Sequence, residues 1–368
     1  MNNKRIIYLD LAKGIGVILV MLGHLQGNTI FSLSPYILPM CTWIFSFHMA
    51  LFFIISGMLI NIKHDYDKDF KVIVKRRFQS IMIPYLWFSL IYIAIVLYNM
   101  IFTKVIPLKT FFVQLWYIVG MYGMNVLWFL PALFAGEVIF IFIMKKYKSS
   151  KSLIFILLIT LFAIVCNCLI SLIPDSLPVY ERLKELCITL IRPLFASSFI
   201  AIGYYCYNGI RFIENNAKKS TFIELCITIV SLVINIILCN INQPVDFRSL
   251  VMNNYLFYYL HATFGSLFII MLCKLISKPF SESGKYKFPI LTFYGMNSLI
   301  FMAVHNNSAV LTLGLKLSMY VNQYLTRARG YICYGIIALT ILIYVTLTII
   351  IINKFFPFIL GKKNNRVG

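Results

Sequence analysis

The ionisable side chains least at home in this sequence are Asp10, Lys13 and His24. They sit in the apolar stretch Tyr8-Leu-Asp-Leu-Ala-Lys-Gly-Ile-Gly-Val-Ile-Leu-Val-Met-Leu-Gly-His24. On a helix advancing about 100° per residue, Lys13 and His24 are eleven positions apart and fall within roughly 20° of each other. A rise of ~1.5 Å per residue separates them by about 16 Å along that stripe, and Asp10 lies on it one turn before Lys13. An imidazole whose ordinary pKa is ~6.5 can take or give a proton near neutral pH, or act as a nucleophile. Three ionisable groups on one face of a membrane helix are by default a functional-site hypothesis.

Other groups of similar kind recur downstream. His48 stands in Phe45-Ser-Phe-His48-Met and Ser56-Gly57 follow it; at a depth matching His24 on the next helix, it either shares a site or makes a packing hydrogen bond. Glu137 is isolated deep in an apolar run, where a carboxylate is costly unless it is functional or paired with a cation. Arg192-Pro193 poses the same question: snorkelling, or a polar cavity. Gly295-Met-Asn297-Ser298 leads to His305, seven positions after Ser298 on nearly the same helix face. His261 reads as a helix-to-helix hydrogen bond. Lys75-Arg76-Arg77, entering the run at Pro84-Tyr85, is either a basic membrane anchor or a clamp for phosphates.

The elements that must hold these groups follow from composition. Hydrophobic residues make up 61% of the chain and charged ones 12%, and the mean hydropathy is +0.86. Soluble domains carry about 25% charge. The apolar runs are long and continuous rather than alternating, which excludes a transmembrane β-barrel. The fold class expected is all-α: a polytopic membrane helix bundle of about ten transmembrane helices, near 7–30, 38–62, 79–102, 127–144, 152–173, 188–208, 221–242, 251–273, 289–312 and 331–353. It forms one integral membrane domain over 1–368, and the first segment, lacking a small-residue cleavage site, stays as a helix. With the N-terminus inside, alternate connections hold most of the Lys and Arg, such as Lys68 to Arg77, Lys145 to Lys151 and Lys274 to Lys287. That bias expects a plasma or inner membrane location with both termini cytoplasmic, Lys13 inward and His24 toward the outer half. The net charge of +21 then reflects loops facing anionic headgroups, not nucleic acid. The nine cysteines form no CxxC pair and read as small hydrophobes, with no metal site expected. P-loop, HExxH and GxSxG patterns are absent, which excludes those ATPase, zincin and hydrolase classes.

These blocks together resemble acyltransferase family 3, integral membrane enzymes that acylate sugars of bacterial surface polysaccharides. The resemblance is carried by Asp10-Leu-Ala-Lys13-Gly-Ile with Leu22-Gly23-His24, by Phe45-Ser-Phe-His48-Met with Phe53-Ile-Ile-Ser56-Gly57, by Arg77 with Ile83-Pro84-Tyr85, by Trp128-Phe-Leu-Pro131, and by Asn297-Ser298-Leu with His305. It implies an acyl-CoA donor, usually acetyl-CoA, loaded from the cytoplasm, and a glycan acceptor that is lipid-linked or at the cell surface. It assigns catalysis to His24 with Lys13, as general base on the acceptor hydroxyl or through an acyl-histidine relay; Lys13 would orient or neutralise the donor. Many relatives have Arg at Lys13 and a second Arg where this chain has Ser80, so CoA phosphates are assigned to Lys75, Arg76 and Arg77. His48 and His305 are candidates for the acceptor side, while Asp10 and Glu137 set local charge, or Asp10 simply pairs with Lys13 at i, i+3. No fused extracellular hydrolase-like domain is expected. The alternative reading is a transporter or flippase of a glycan or lipid-linked sugar, for which no internal repeat is visible.

Overall fold

The long apolar runs fold as helices because a bilayer offers the backbone no water, so every N–H and C=O must be satisfied within its own segment. The computed structural model describes residues 6–26, 37–104, 106–147, 150–174, 178–216, 220–278, 288–322 and 329–362. The helices are α1 Ile7–Gln26, α2 Ile37–Ile62, α3 Phe70–Arg77, α4 Ile83–Tyr98, α5 Leu108–Val119, α6 Phe129–Lys146, α7 Ser150–Ser171, α8 Pro178–Asn216, α9 Ser220–Ile241, α10 Tyr255–Ser277, α11 Pro289–Met296, α12 Ser298–Val304, α13 Ser308–Asn322 and α14 Arg329–Phe355. No strand forms among the described residues; Asp246 and Val251 make an isolated antiparallel bridge. The protein is an all-α polytopic membrane protein.

Two compact units emerge. The first comprises Met1–Phe52, Ile210–Val245 and Met252–Asn353. Its organising contact is α1 against α11. A Cβ on Gly14 would lie 2.0 Å from the Leu291 carbonyl oxygen, and one on Gly295 would lie 1.7 Å from that of Asp10. The two backbones therefore touch, which only glycine permits. Leu9, Leu11, Ala12, Val17, Val20, Met21 and Leu25 bury the rest of α1. The Tyr334 hydroxyl of α14 donates to the Leu22 carbonyl at 2.6 Å, and Asn353 of α14 donates to Asn297 Oδ1 at 2.8 Å. These bonds fix α1 and the α11–α12 break from the same helix.

The second unit comprises Phe53–Gly209, Asp246–Val251 and Lys354–Gly368. Here the end of α2 meets α8 through Gly57 and Gly203, whose Cβ positions would fall 1.8 Å and 2.0 Å from the carbonyl oxygens of Ile200 and Ile54. Phe53, Phe129, Trp128 and Phe247 pack face and edge in its core. Much of α7 is bare of protein contact: Leu153, Ile154, Leu157, Leu158, Leu161 and Phe162 are exposed. Such a face on a folded chain is a lipid surface.

Among the described residues eight helices are long and apolar enough to cross a membrane, or nine if α12 and α13 form one bent span. The sequence suggests ten, and two places account for the difference. Helix α6 carries Glu137, Lys145 and Lys146 within its 18 residues. The expected 289–312 helix is broken after Met296 and again after Val304, where α12 and α13 diverge by 74°. Helices α5 and α13 occupy stretches that read as outer connections. The chain ends, whose side the loop charges assign, fall at 1–5 and 363–368, outside the described residues.

Candidate active site

In the first unit, α1 and α12 bring His24 and His305 together. Their ring centroids are 5.4 Å apart with the planes inclined by 40°. His305 caps the C-terminal end of α12 and is only 2% exposed. Its Nδ1 lies 2.9 Å from the Met302 carbonyl and 3.2 Å from that of Phe301. A carbonyl only accepts, so Nδ1 carries the proton and Nε2 presents a lone pair. That Nε2 is buried with no hydrogen-bond partner among the described residues. A buried acceptor left bare costs about 1–3 kcal/mol, so its retention calls for a role.

Around the two rings lies a small, partly open cavity of about 10 Å³ bordered by Met21, Leu25, Asn306, Leu311 and Ile341. That is space for about one water molecule. The Phe45 ring stands edge-on to both His24, at 6.1 Å, and His48, at 5.2 Å. His48 Nδ1 donates to the Ile44 carbonyl at 3.0 Å, turning its Nε2 away from its own helix. Phe45 thus stands between His24 of α1 and His48 of α2, while His305 at the end of α12 meets His24 directly. By contrast His261 has both nitrogens engaged, by the Ser46 carbonyl at 3.0 Å and the Asn242 amide at 3.2 Å, and serves packing.

Toward the other end of α1, Lys13 Nζ lies 2.6 Å from Asp10 Oδ1, with side chains 20% and 12% exposed. Asp10 is therefore the counter-ion of Lys13, one helical turn away.

The second unit gathers the basic cluster around a carboxylate. Asp65, in the 3-10 turn Asp65–Asp67, is fully buried and accepts from Lys68 at 2.7 Å, Arg76 at 2.6 Å and Arg77 at 2.8 Å. Burial pushes its carboxyl up, but hydrogen bonds from Arg76 and Lys68 and the charges of Arg77 and Arg76 outweigh that and hold it below the ordinary 3.8. Arg77 also reaches Glu137, Nε to Oε2 at 3.0 Å, and Ser56 donates to the other Glu137 oxygen. The lone Glu137 of the sequence is thus paired. Arg77 is turned inward, its side chain 14% exposed, whereas Arg76 is 44% exposed and Lys75 points to solvent. Nothing in Asp65's polar neighbourhood, His64-Asp-Tyr-Asp-Lys-Asp69, marks it as a buried hub; the only hint is the run of three cations ten to twelve residues later. Arg192 is buried rather than snorkelling to the surface. It stacks on Tyr122 and Trp128, each 5.0 Å away, and donates to the carbonyls of Tyr122 and Arg248.

The fold and the histidine pair being described, comparison with known proteins identifies the family. Residues 6–353 match the family model described as an acyltransferase domain. The chain belongs to that acyltransferase family, acyltransferase family 3. Over 98 residues it is 39% identical to the nodulation protein NolL of Mesorhizobium japonicum, a match covering 25% of this chain and 25% of that protein. The chain thus aligns with about a quarter of that relative's length. No solved structure matches it. The chain is thus a multi-pass membrane member of that family.

Proposed function

We propose that this acyltransferase moves an acyl group, acetyl, from cytoplasmic acetyl-CoA to a hydroxyl of a cell-surface or lipid-linked glycan, as a single domain in the cell membrane with both ends cytoplasmic. The observation that carries the reading is the His24–His305 pair, with the bare Nε2 of His305 beside His24. His24 gives one N–H to that acceptor, directly after a small ring rotation or through one water. Its other nitrogen is then a lone pair held in one orientation. That nitrogen takes the proton of the acceptor hydroxyl as the oxygen attacks the thioester carbonyl. The tetrahedral intermediate collapses, the C–S bond breaks, and the proton passes from His24 to the departing thiolate. Lys13, its charge balanced by Asp10, orients the donor at the far end of the same stripe.

In the second unit Arg76 and Lys75 offer donors to CoA phosphates, while Arg77 sets the cluster's position through Asp65 and Glu137. His48 borders the acceptor hydroxyl. The test uses reconstituted protein, labelled acetyl-CoA and a lipid-linked glycan. His24→Ala is expected to lower transfer by about 10²–10⁴-fold, the usual contribution of a general base. A folded His24→Ala variant within a few-fold of wild type overturns the assignment.

A further inference from the structure

The second unit contains a cleft of about 640 Å³ that the histidine chemistry does not use. Its walls come from three places: Tyr66 and Asp67 in the turn after α2, Lys145 at the end of α6, and Tyr204, Tyr205 and Asn208 late in α8. The size falls within the range of about 300–1,000 Å³ typical of small-molecule sites.

Its lining has a definite chemistry. The rings of Tyr66 and Tyr204 meet edge to face at 5.7 Å, and those of Tyr204 and Tyr205 at 5.3 Å. Together they form a rigid aromatic corner suited to a flat ring system. The polar groups at its edge are of opposite kinds. Asn61 donates to Asn208 Oδ1 at 2.8 Å, which fixes that amide and leaves its N–H₂ to donate elsewhere. Asp67 supplies an acceptor, its side chain 65% exposed. A donor and an acceptor beside stacking rings match the edge of a purine bearing an exocyclic amine, not a sugar or an aliphatic chain.

Cations stand on one side of this corner. Lys145 Nζ donates to the carbonyls of Tyr66, at 3.2 Å, and Lys68, at 2.7 Å, so it closes the turn and keeps a third N–H. The residue before Tyr66 is Asp65, which holds Lys68 and the half-exposed Arg76 in place. Lys71 and Lys75 are exposed and make no ion pair among the described residues. One turn of backbone therefore joins an aromatic purine corner to a fixed group of cations.

We propose that this cleft binds the adenine nucleotide end of the donor, the base on the Tyr66–Tyr204–Tyr205 corner and the phosphates toward Lys145 and Arg76. The proposal rests on the reading that the donor is a CoA thioester. It adds a site on the turn and on α8 to the basic residues of α3.

The test is binding of CoA and of adenosine 3′,5′-bisphosphate to the purified full chain in nanodiscs, with 8-azidoadenosine 3′,5′-bisphosphate as photolabel. The wild type is expected to bind both ligands and to carry the label on peptides containing Tyr66 or Tyr204 and Tyr205. Asp67→Ala and Asn208→Trp, at exposed positions, should each weaken adenosine bisphosphate binding at least tenfold with an unchanged melting temperature. If a variant fails to fold, the wild-type label decides. Label confined to other peptides, or folded variants that bind as tightly as wild type, would overturn the cleft while leaving the CoA-donor reading intact. A wild-type protein that binds neither CoA nor the nucleotide overturns both.

Discussion

The ring of His305 lies 5.4 Å from that of His24, and its single lone-pair nitrogen has no hydrogen-bond partner among the described residues. Both backbone carbonyls near its Nδ1 belong to its own helix end, so the tautomer is set locally and does not depend on substrate. In the proposed mechanism the pair is directional, with His305 accepting and His24 donating. Replacing His305 by Leu removes the acceptor and fills the space. The expected loss in kcat is about 5- to 30-fold, corresponding to about 1–2 kcal/mol for one hydrogen bond, with KM for the donor little changed. His305→Gln, which returns an acceptor at similar reach, should recover part of it. Equal loss in both variants, or a loss confined to KM, would exclude a positioning role.

The Asp10–Lys13 pair separates structure from chemistry. Removing Lys13 alone leaves Asp10 uncompensated near a membrane helix end, so Lys13→Gln should lower thermal stability as well as activity. The double variant Asp10→Asn, Lys13→Gln removes both charges and should regain most of the stability. If Lys13 acts on the donor, turnover stays low in the double variant. If the cation serves only its carboxylate, turnover recovers with stability, and the catalytic assignment of Lys13 fails.

How much of this was legible in the sequence depends on whether a group is revealed by its own helix or by a partner elsewhere. The stripe of Asp10, Lys13 and His24 is local, so periodicity alone found it. His48 and His305 carry enough local context to be singled out. The approach of His305 to His24 depends on the Gly14–Gly295 contact of α1 with α11, which no periodicity encodes. The break at Asn297 was hidden because an uninterrupted apolar run reads as one span; its side-chain Oδ1 accepts from Asn353, 56 residues away. Asp65 escaped notice for the reverse reason. Its neighbours are polar, and a polar run reads as solvated until the cations of α3 fold back on it.

Asp65 carries more ion pairs than Glu137, and the two should respond differently to neutralisation. Asp65→Asn leaves Lys68, Arg76 and Arg77 without their shared carboxylate in a buried site. A cost of about 3–5 kcal/mol is expected, as for breaking a buried pair from one side. Glu137→Gln keeps a carbonyl oxygen for Ser56 and leaves Arg77 its bond to Asp65. It should cost less, about 1–3 kcal/mol. Thermal unfolding in detergent ranks the two, and a larger loss in Glu137→Gln would contradict the hub role of Asp65.

The same carboxylate sets a pH dependence. Its folded pKa lies below the ordinary 3.8, so its stabilisation is present in full above that value and is lost as pH falls through the lower folded value. The turn at Asp65–Asp67 and the start of α3 should therefore stay protected from amide exchange down to about pH 4 and loosen below it. In Asp65→Asn, protection of this segment should be weak and nearly independent of pH between about 3 and 7. A wild-type turn that loosens between pH 7 and 5 would point to another titrating group.

The packing of α1 on α11 makes a sharper demand than any side chain in the site. At Gly295 a methyl group would fall 1.7 Å from the Asp10 carbonyl oxygen and 3.0 Å from the Gly14 nitrogen. Both are backbone atoms, so no rotamer change relieves the clash, and the helices must part. Gly295→Ala should thus displace α11, and with it α12 and His305, relative to His24. A loss of at least tenfold in transfer is expected even though residue 295 touches neither imidazole. Among the described residues, nothing lies within 4 Å of the missing Cβ of Gly335 on α14. There the same substitution only reduces backbone freedom in a helix and should raise stability by up to about 1 kcal/mol with unchanged activity. Measured side by side, the two glycines test whether the spacing of α1 and α11 is what holds the histidines together; equal tolerance at both would mean that it is not.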